Sequence, residues 1–287
     1  MAAANIKQND KVREVARTVR GQPTSDGAGV RMTRVIGSQV LDSFDPFLLL
    51  DEFRSDDPND YIGGFPDHPH RGFETVTYML AGRMRHGDNQ GNSGLLGPGS
   101  VQWMTAGRGI VHSEFPEQQE GLMWGFQLWV NLPKTHKMTQ PRYQDVQADQ
   151  IPEVELGPGA RARVLVGTVE GVPGPVHDIV TEPVYFDLHL EAGASYTASL
   201  PAGHNAFAYV YQGDARVGAA ATLIQRGELA MLTHGATVPV TAGEQGARLI
   251  VVAGRPLNEP VARYGPFVMN TADELHQAFA DYRAGRL

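Results

Sequence analysis

The chain has 287 residues, 41% of them hydrophobic, a formal net charge of −8 and no cysteine. That length allows one large or two medium domains with real cores. The missing thiols exclude disulfides, thiolate metal sites and a cysteine nucleophile; the acidic balance argues against a direct grip on nucleic-acid phosphates; and no run nears the ~18 apolar residues of a membrane span. The opening MAAANIKQNDKVREVARTVRG lacks the apolar core of a signal peptide, so a cytoplasmic protein is the expectation.

With 33 glycines and 19 prolines, turns are frequent. Short apolar runs rich in β-branched and aromatic residues predict strands at 35–36, 47–50, 75–80, 125–130, 163–166, 184–190, 207–211 and 249–252. The acidic positions Asp51, Glu52, Asp56, Asp57 and Asp60 read as a solvated loop. His86, beside Gly87-Asp88, reads as a loop residue. Arg71 and Glu74 read as an ion pair or a surface pair. Trp103 and Met104 read as core, with Phe65, Phe126 and Trp129 available to shape a pocket. Gly107 and Gly109 suit a tight turn that returns the chain to His112, with Arg108 in it either as a contact for an anionic substrate or partner or simply exposed. Residues 134–160, with Pro141, Pro152 and Pro158, read as a linker or strap. His189 alternates within VYFDLHL and is placed to face a barrel interior, and His204 lies in a turn. Near the end, Thr271 with Glu274 fits a capping box, and Leu275, Ala278, Phe279 and Tyr282 form a helical apolar stripe.

Four polar residues stand out. His68-Pro69-His70 and His112-Ser113-Glu114 each place two donors one residue apart. Alternate side chains of a strand share a face, so two such strands side by side would aim three imidazoles and a carboxylate at one ion. Nitrogen and oxygen donors suit Fe, Mn, Ni, Co, Cu or Zn. Four ligands leave two positions open on a six-coordinate ion, which favours iron, Fe(2+), over a saturated zinc.

The chain also repeats itself. Tyr78-Met79-Leu80-Ala81-Gly82 has a counterpart in Tyr209-Val210-Tyr211-Gln212-Gly213, and Gly99, Val101 and Met104 match Gly227, Leu229 and Leu232. A repeat of this length predicts a duplicated domain. At the same offsets, His68 and His70 fall on Ser199 and Pro201, and His112 and Glu114 on Val240 and Ala242. The four donors therefore have a task in the first copy alone.

The segments FDPFLLLDEF, YIGGFPDHPHRGFETVTYMLAGRMRHGD, GPGSVQWMTAGRGIVHSE, WGFQLWVNLP and RYGPFVMNT closely resemble the pirin family of the cupin superfamily. The resemblance implies an all-β bicupin of two jelly-roll-type antiparallel β-barrels with a short C-terminal helix. It divides the chain into a metal-bearing N-terminal barrel at 1–133, the strap at 134–160, and a ligand-free C-terminal barrel with the helix at 161–287. It assigns His68, His70, His112 and Glu114 as ligands of one divalent transition metal. The general cupin pattern would instead take Glu74, which is kept as an alternative or supporting residue.

Two activities follow from the resemblance. One is quercetin 2,3-dioxygenase chemistry, in which a flavonol-like substrate is opened by O2 with loss of carbon monoxide and Glu114 acts as the base. The other is metal- or redox-dependent regulation by docking on a partner protein. An isomerase or hydrolase is a third, since cupins host many chemistries.

Overall fold

Period-two patterning punctuated by glycine and proline yields short antiparallel strands and one α-helix in the computed structural model, which describes residues 11–287. The signal-peptide reading of the first ten residues lies outside the described residues. No helix among the described residues is long and apolar enough to cross a membrane.

Two compact units form, and each draws on two stretches of chain. The first holds residues 22–150 and 257–287; the second holds residues 11–21 and 151–256. The sequence divides in chain order at 133 and 160, whereas these units exchange their terminal segments. Val15–Arg20 is an edge strand of the second unit, paired with Glu228–Leu232. The helix Ala272–Arg283 belongs to the first unit, where Phe279 lies edge-on to Phe267 at 4.8 Å. Its Thr271 cap and the reciprocal bond to Glu274 are as the sequence predicts.

The segment read as a strap is partly strand. Arg142–Val146 pairs with Val101–Thr105 at the edge of a first-unit sheet, and Glu153–Gly157 pairs with Ala160–Val166 in the second unit.

The first unit is a jelly-roll sandwich of two open sheets. The larger runs in the order Arg142–Val146, Val101–Thr105, Phe73–Ala81, Met123–Asn131, Phe47–Ser55, Val30–Ile36, Gln22–Asp26. The smaller runs Phe65–His70, Ile110–Pro116, Met84–Asp88, Ser93–Leu96. Val30, Met32, Phe53, Met79 and Met123 of the larger sheet pack with Met84 and Leu96 of the smaller. Each such buried side chain contributes roughly 1.5–3 kcal/mol.

The second unit is built around one nine-stranded sheet. Its long strands Asn205–Val217 and Thr237–Gly254 bend at register shifts around Gln212 and Ala215. The repeat seen in the sequence is visible in the pairing. Tyr78 faces Val101 in one unit and Tyr209 faces Leu229 in the other. Gly82 (φ 81°) and Gly213 (φ 68°) take the same left-handed conformation at matching points. Val240 and Ala242 lie in the apolar core of the second unit and supply no donor.

Candidate metal centre

The two strands carrying the sequence motifs lie side by side. His68 is directly opposite His112, and His70 is opposite Ile110, in the antiparallel pair of Phe65–His70 with Ile110–Pro116. A register shift follows His112, so that Glu114 faces Phe65. Such a bulge re-aims a side chain without breaking the strand. The three imidazoles meet: ring centroids are 4.4 Å apart for His68–His112, 4.6 Å for His68–His70 and 5.0 Å for His70–His112. One ring nitrogen from each lies within 4.8 Å of the others. Glu114 stands outside that compact trio but on the same inward face of its strand, and it lines the same cavity as His68 and His70.

The electrostatics suit a cation. His70 is 3% exposed and His112 1%. Burial, reinforced by the neighbouring histidines, pushes both rings well below their ordinary pKa, so they are neutral and carry lone pairs. His70 Nδ1 and both nitrogens of His112 are buried without a hydrogen-bond partner. Leaving such groups unsatisfied costs about 1–3 kcal/mol each, a cost that an ion at the common point would offset. His68 Nδ1 is tied to the Pro66 carbonyl at 2.8 Å, which leaves Nε2 for the centre. The ring of His70 is hydrogen-bonded to the Pro266 backbone.

Glu114 is 5% exposed, and burial raises its pKa. The Thr77 hydroxyl donates to Gln127 Oε1 at 2.7 Å and lies 3.3 Å from Glu114 Oε1.

Several residues fall where the sequence did not place them. Glu74 hydrogen-bonds to the Thr105 hydroxyl at 2.6 Å. It lies on the opposite face of its strand from Phe73, which contacts His70, and from Thr77, which contacts Glu114. It is therefore no ligand. Arg71 pairs with Asp281, not Glu74. His86 is no loop residue: it is buried in the strand Met84–Asp88, directly opposite Glu114, with Nε2 2.7 Å from Asp145 Oδ2 and its ring stacked on Tyr143. The alternation of Met84 and His86 with exposed Arg85 was the available signal. Asp51 and Glu52 are buried in the strand Phe47–Ser55 and do not form a solvated loop. His189 turns away from the core side chains Leu188 and Leu190 and bonds to Asp187. His204 is buried and lies outside the histidine trio, with its carbonyl accepting from Arg13. Trp103 and Met104 are core as expected.

A cavity of about 520 Å³ opens beside the trio. Met32, Leu49, Phe53, Phe65, Met84 and Trp129 form its apolar wall. Phe126, considered as a pocket residue, is absent from this lining and stacks on Tyr78. The polar wall holds Arg34 and Asp51, joined by two bonds of 2.9 and 2.7 Å, and Arg263, whose guanidinium lies 5.1 Å above the Trp129 ring. Asp51 and Arg263 lie within the segments FDPFLLLDEF and RYGPFVMNT, but nothing in the sequence assigned them or Arg34 to a site.

Two family models match the chain: Pirin over residues 29–130, and the Pirin C-terminal cupin domain over residues 185–287. The chain belongs to the pirin family. A pirin-like protein of Caulobacter vibrioides is 51% identical over 276 residues, with 96% of this chain and 99% of the relative covered. Human pirin is 42% identical, with 94% and 92% covered. Among solved structures, a quercetin 2,3-dioxygenase from Acinetobacter baumannii superposes with a TM-score of 0.89 at 33% identity, covering 96% of this chain and 98% of that one. The pirin fold is thus present across nearly the whole chain.

Proposed function

We propose that this member of the pirin family is a metal-dependent dioxygenase that opens a flavonol-like substrate with O2 and releases carbon monoxide. The observation that carries the reading is the opening of the His68, His70 and Glu114 donors onto a largely apolar cavity of about 520 Å³. That volume falls within the range of small-molecule sites. Similarity to the Acinetobacter baumannii quercetin 2,3-dioxygenase supports the substrate class.

In this reading His68, His70, His112 and Glu114 hold one divalent ion, with Fe(2+) as the first choice. When bound, the ion supplies Lewis acidity toward the enol oxygen and a redox partner for O2. The chain's own residues do the rest. Glu114, made more basic by burial, takes the proton of the substrate's enol hydroxyl. Phe53, Phe65, Met32 and Met84 exclude water from the rings. Trp129, with Arg263 over its ring, adds to the apolar wall, and the Arg34–Asp51 pair presents a donor and an acceptor to peripheral hydroxyls.

The test is direct. Apo-protein is loaded anaerobically with Fe(II), quercetin and oxygen are added, and flavonol absorbance and carbon monoxide are followed. Loss of absorbance with stoichiometric carbon monoxide is the expected result. Unchanged absorbance with Fe, Mn, Ni, Co and Cu removes the enzyme reading for that substrate.

A further inference from the structure

We infer that the C-terminal segment is a positioning element for His70, acting through a clamp in which Asp281 of the helix Ala272–Arg283 holds Arg71, and that this clamp sets how tightly the centre retains its ion. The inference rests on the reading of His70 as a ligand.

His70, Arg71 and Gly72 run alongside residues 266–268. The His70 ring is hydrogen-bonded to the Pro266 backbone, the Arg71 carbonyl accepts from Val268 N at 3.0 Å, and Arg71 bridges Phe267 in parallel fashion. Gly72 (φ 90°) lies so close to the Val268 carbonyl that a Cβ there would sit 1.9 Å from its oxygen. Lys137, buried, donates to the Gly72 carbonyl at 2.8 Å, the Val268 carbonyl at 2.9 Å and Asn131 Oδ1 at 2.7 Å. One ammonium thus ties the chain beyond His70 to the C-terminal strand Phe267–Met269.

The helix adds the second tie. Arg71, with its side chain 4% exposed, reaches Asp281 Oδ2 with Nη1 at 2.8 Å and donates from Nε to the Arg108 carbonyl. The other oxygen of Asp281 is held by Gln277 Nε2 at 2.9 Å and Arg286 Nη2 at 2.8 Å. A carboxylate fixed on both oxygens therefore fixes the residue next to His70. An imidazole whose second nitrogen is anchored coordinates in one orientation, and loss of such outer support typically weakens metal binding about 10- to 100-fold. Asp281 touches neither ion nor substrate; it acts through Arg71.

The experiment titrates full-length apo-protein with Co(II), whose visible bands report ligand geometry. Wild type is expected to take up one equivalent. Asp281→Ala is expected to bind about 10- to 100-fold more weakly, with altered bands and an unchanged circular dichroism spectrum, and Asp281→Glu to restore affinity to within about threefold. His276→Ala, on the exposed face of the same helix, is expected to match wild type. Wild-type affinity and bands in Asp281→Ala overturn the clamp. If that variant fails to fold, Arg71→Lys replaces it: it keeps the charge and loses the Nε bond, so weakened binding supports the clamp and unchanged binding overturns it. Uptake lost in His70→Ala but unchanged in Asp281→Ala defeats the clamp alone. Absence of uptake by wild type, or equal uptake by His70→Ala, defeats the ligand reading and the clamp with it.

Discussion

His68 and His112 face each other directly across an antiparallel strand pair, with ring centroids 4.4 Å apart. Two imidazoles so close, one of them buried with both nitrogens unpartnered, favour a shared cation over mutual contact.

Replacing His70 with Ala removes one of three converging donors. Metal content measured by plasma emission should fall from one equivalent to below about a tenth, since loss of a ligand costs far more than loss of an outer contact. The far-ultraviolet circular dichroism should not change, because the second unit forms its sheet without these donors, with Pro201 at the position matching His70 and Val240 and Ala242 at those matching His112 and Glu114.

Glu114→Gln keeps the shape and removes the carboxylate proposed as the proton acceptor. The value of kcat for flavonol cleavage should fall by about 10²- to 10⁴-fold, the usual worth of a positioned general base. Binding of the flavonol, followed by quenching of tryptophan fluorescence, should persist.

Glu74 gives a pH signature that is separate from catalysis. Burial raises its pKa from 4.5 to about 7. The folded state therefore holds this proton more tightly than the unfolded chain does. The stabilisation is complete below pH 4.5 and is lost as the pH rises through 7. The loss is on the order of 3 kcal/mol for a group this buried. Urea unfolding of wild type should show this decline between pH 4.5 and 7 relative to Glu74→Gln, in which it should vanish. A flat difference between the two proteins would refute the assignment.

Gly72→Ala should lower stability by at least about 2 kcal/mol, through its positive φ and the clash with the Val268 carbonyl. Thermal melting checks this, and the same variant should bind metal more weakly if the C-terminal strand positions His70.

The convergence of the three histidines was legible because period-two spacing in a strand survives any detail of the fold: His68 with His70, and His112 with Glu114 on its face, needed only that both segments be extended. The same rule shows why Glu74 misleads. It sits four residues beyond His70, yet the turn through Arg71 and Gly72 starts a new strand with its own facing, and Glu74 lands on the far side. His86 was hidden by Gly87 and Asp88, which read as a turn but continue a strand opposite Glu114. The cavity wall was readable only in part: Phe65 and Trp129 line it as the sequence suggests, but its polar residues were hidden. Arg34, Asp51, Trp129 and Arg263 come from four separated segments, and only the tertiary pairing brings them together. The terminal exchange between the units was equally hidden, since no local pattern in Val15–Arg20 names Glu228–Leu232 as its partner.

X-ray absorption spectroscopy of the iron-loaded protein tests the central claim most directly. One iron per chain is expected, with scattering from three imidazoles and at least one carboxylate oxygen, and in His112→Ala the bound iron and its imidazole scattering should be lost together. Iron bound without imidazole scattering, or a wild-type pattern in His112→Ala, would contradict the claim.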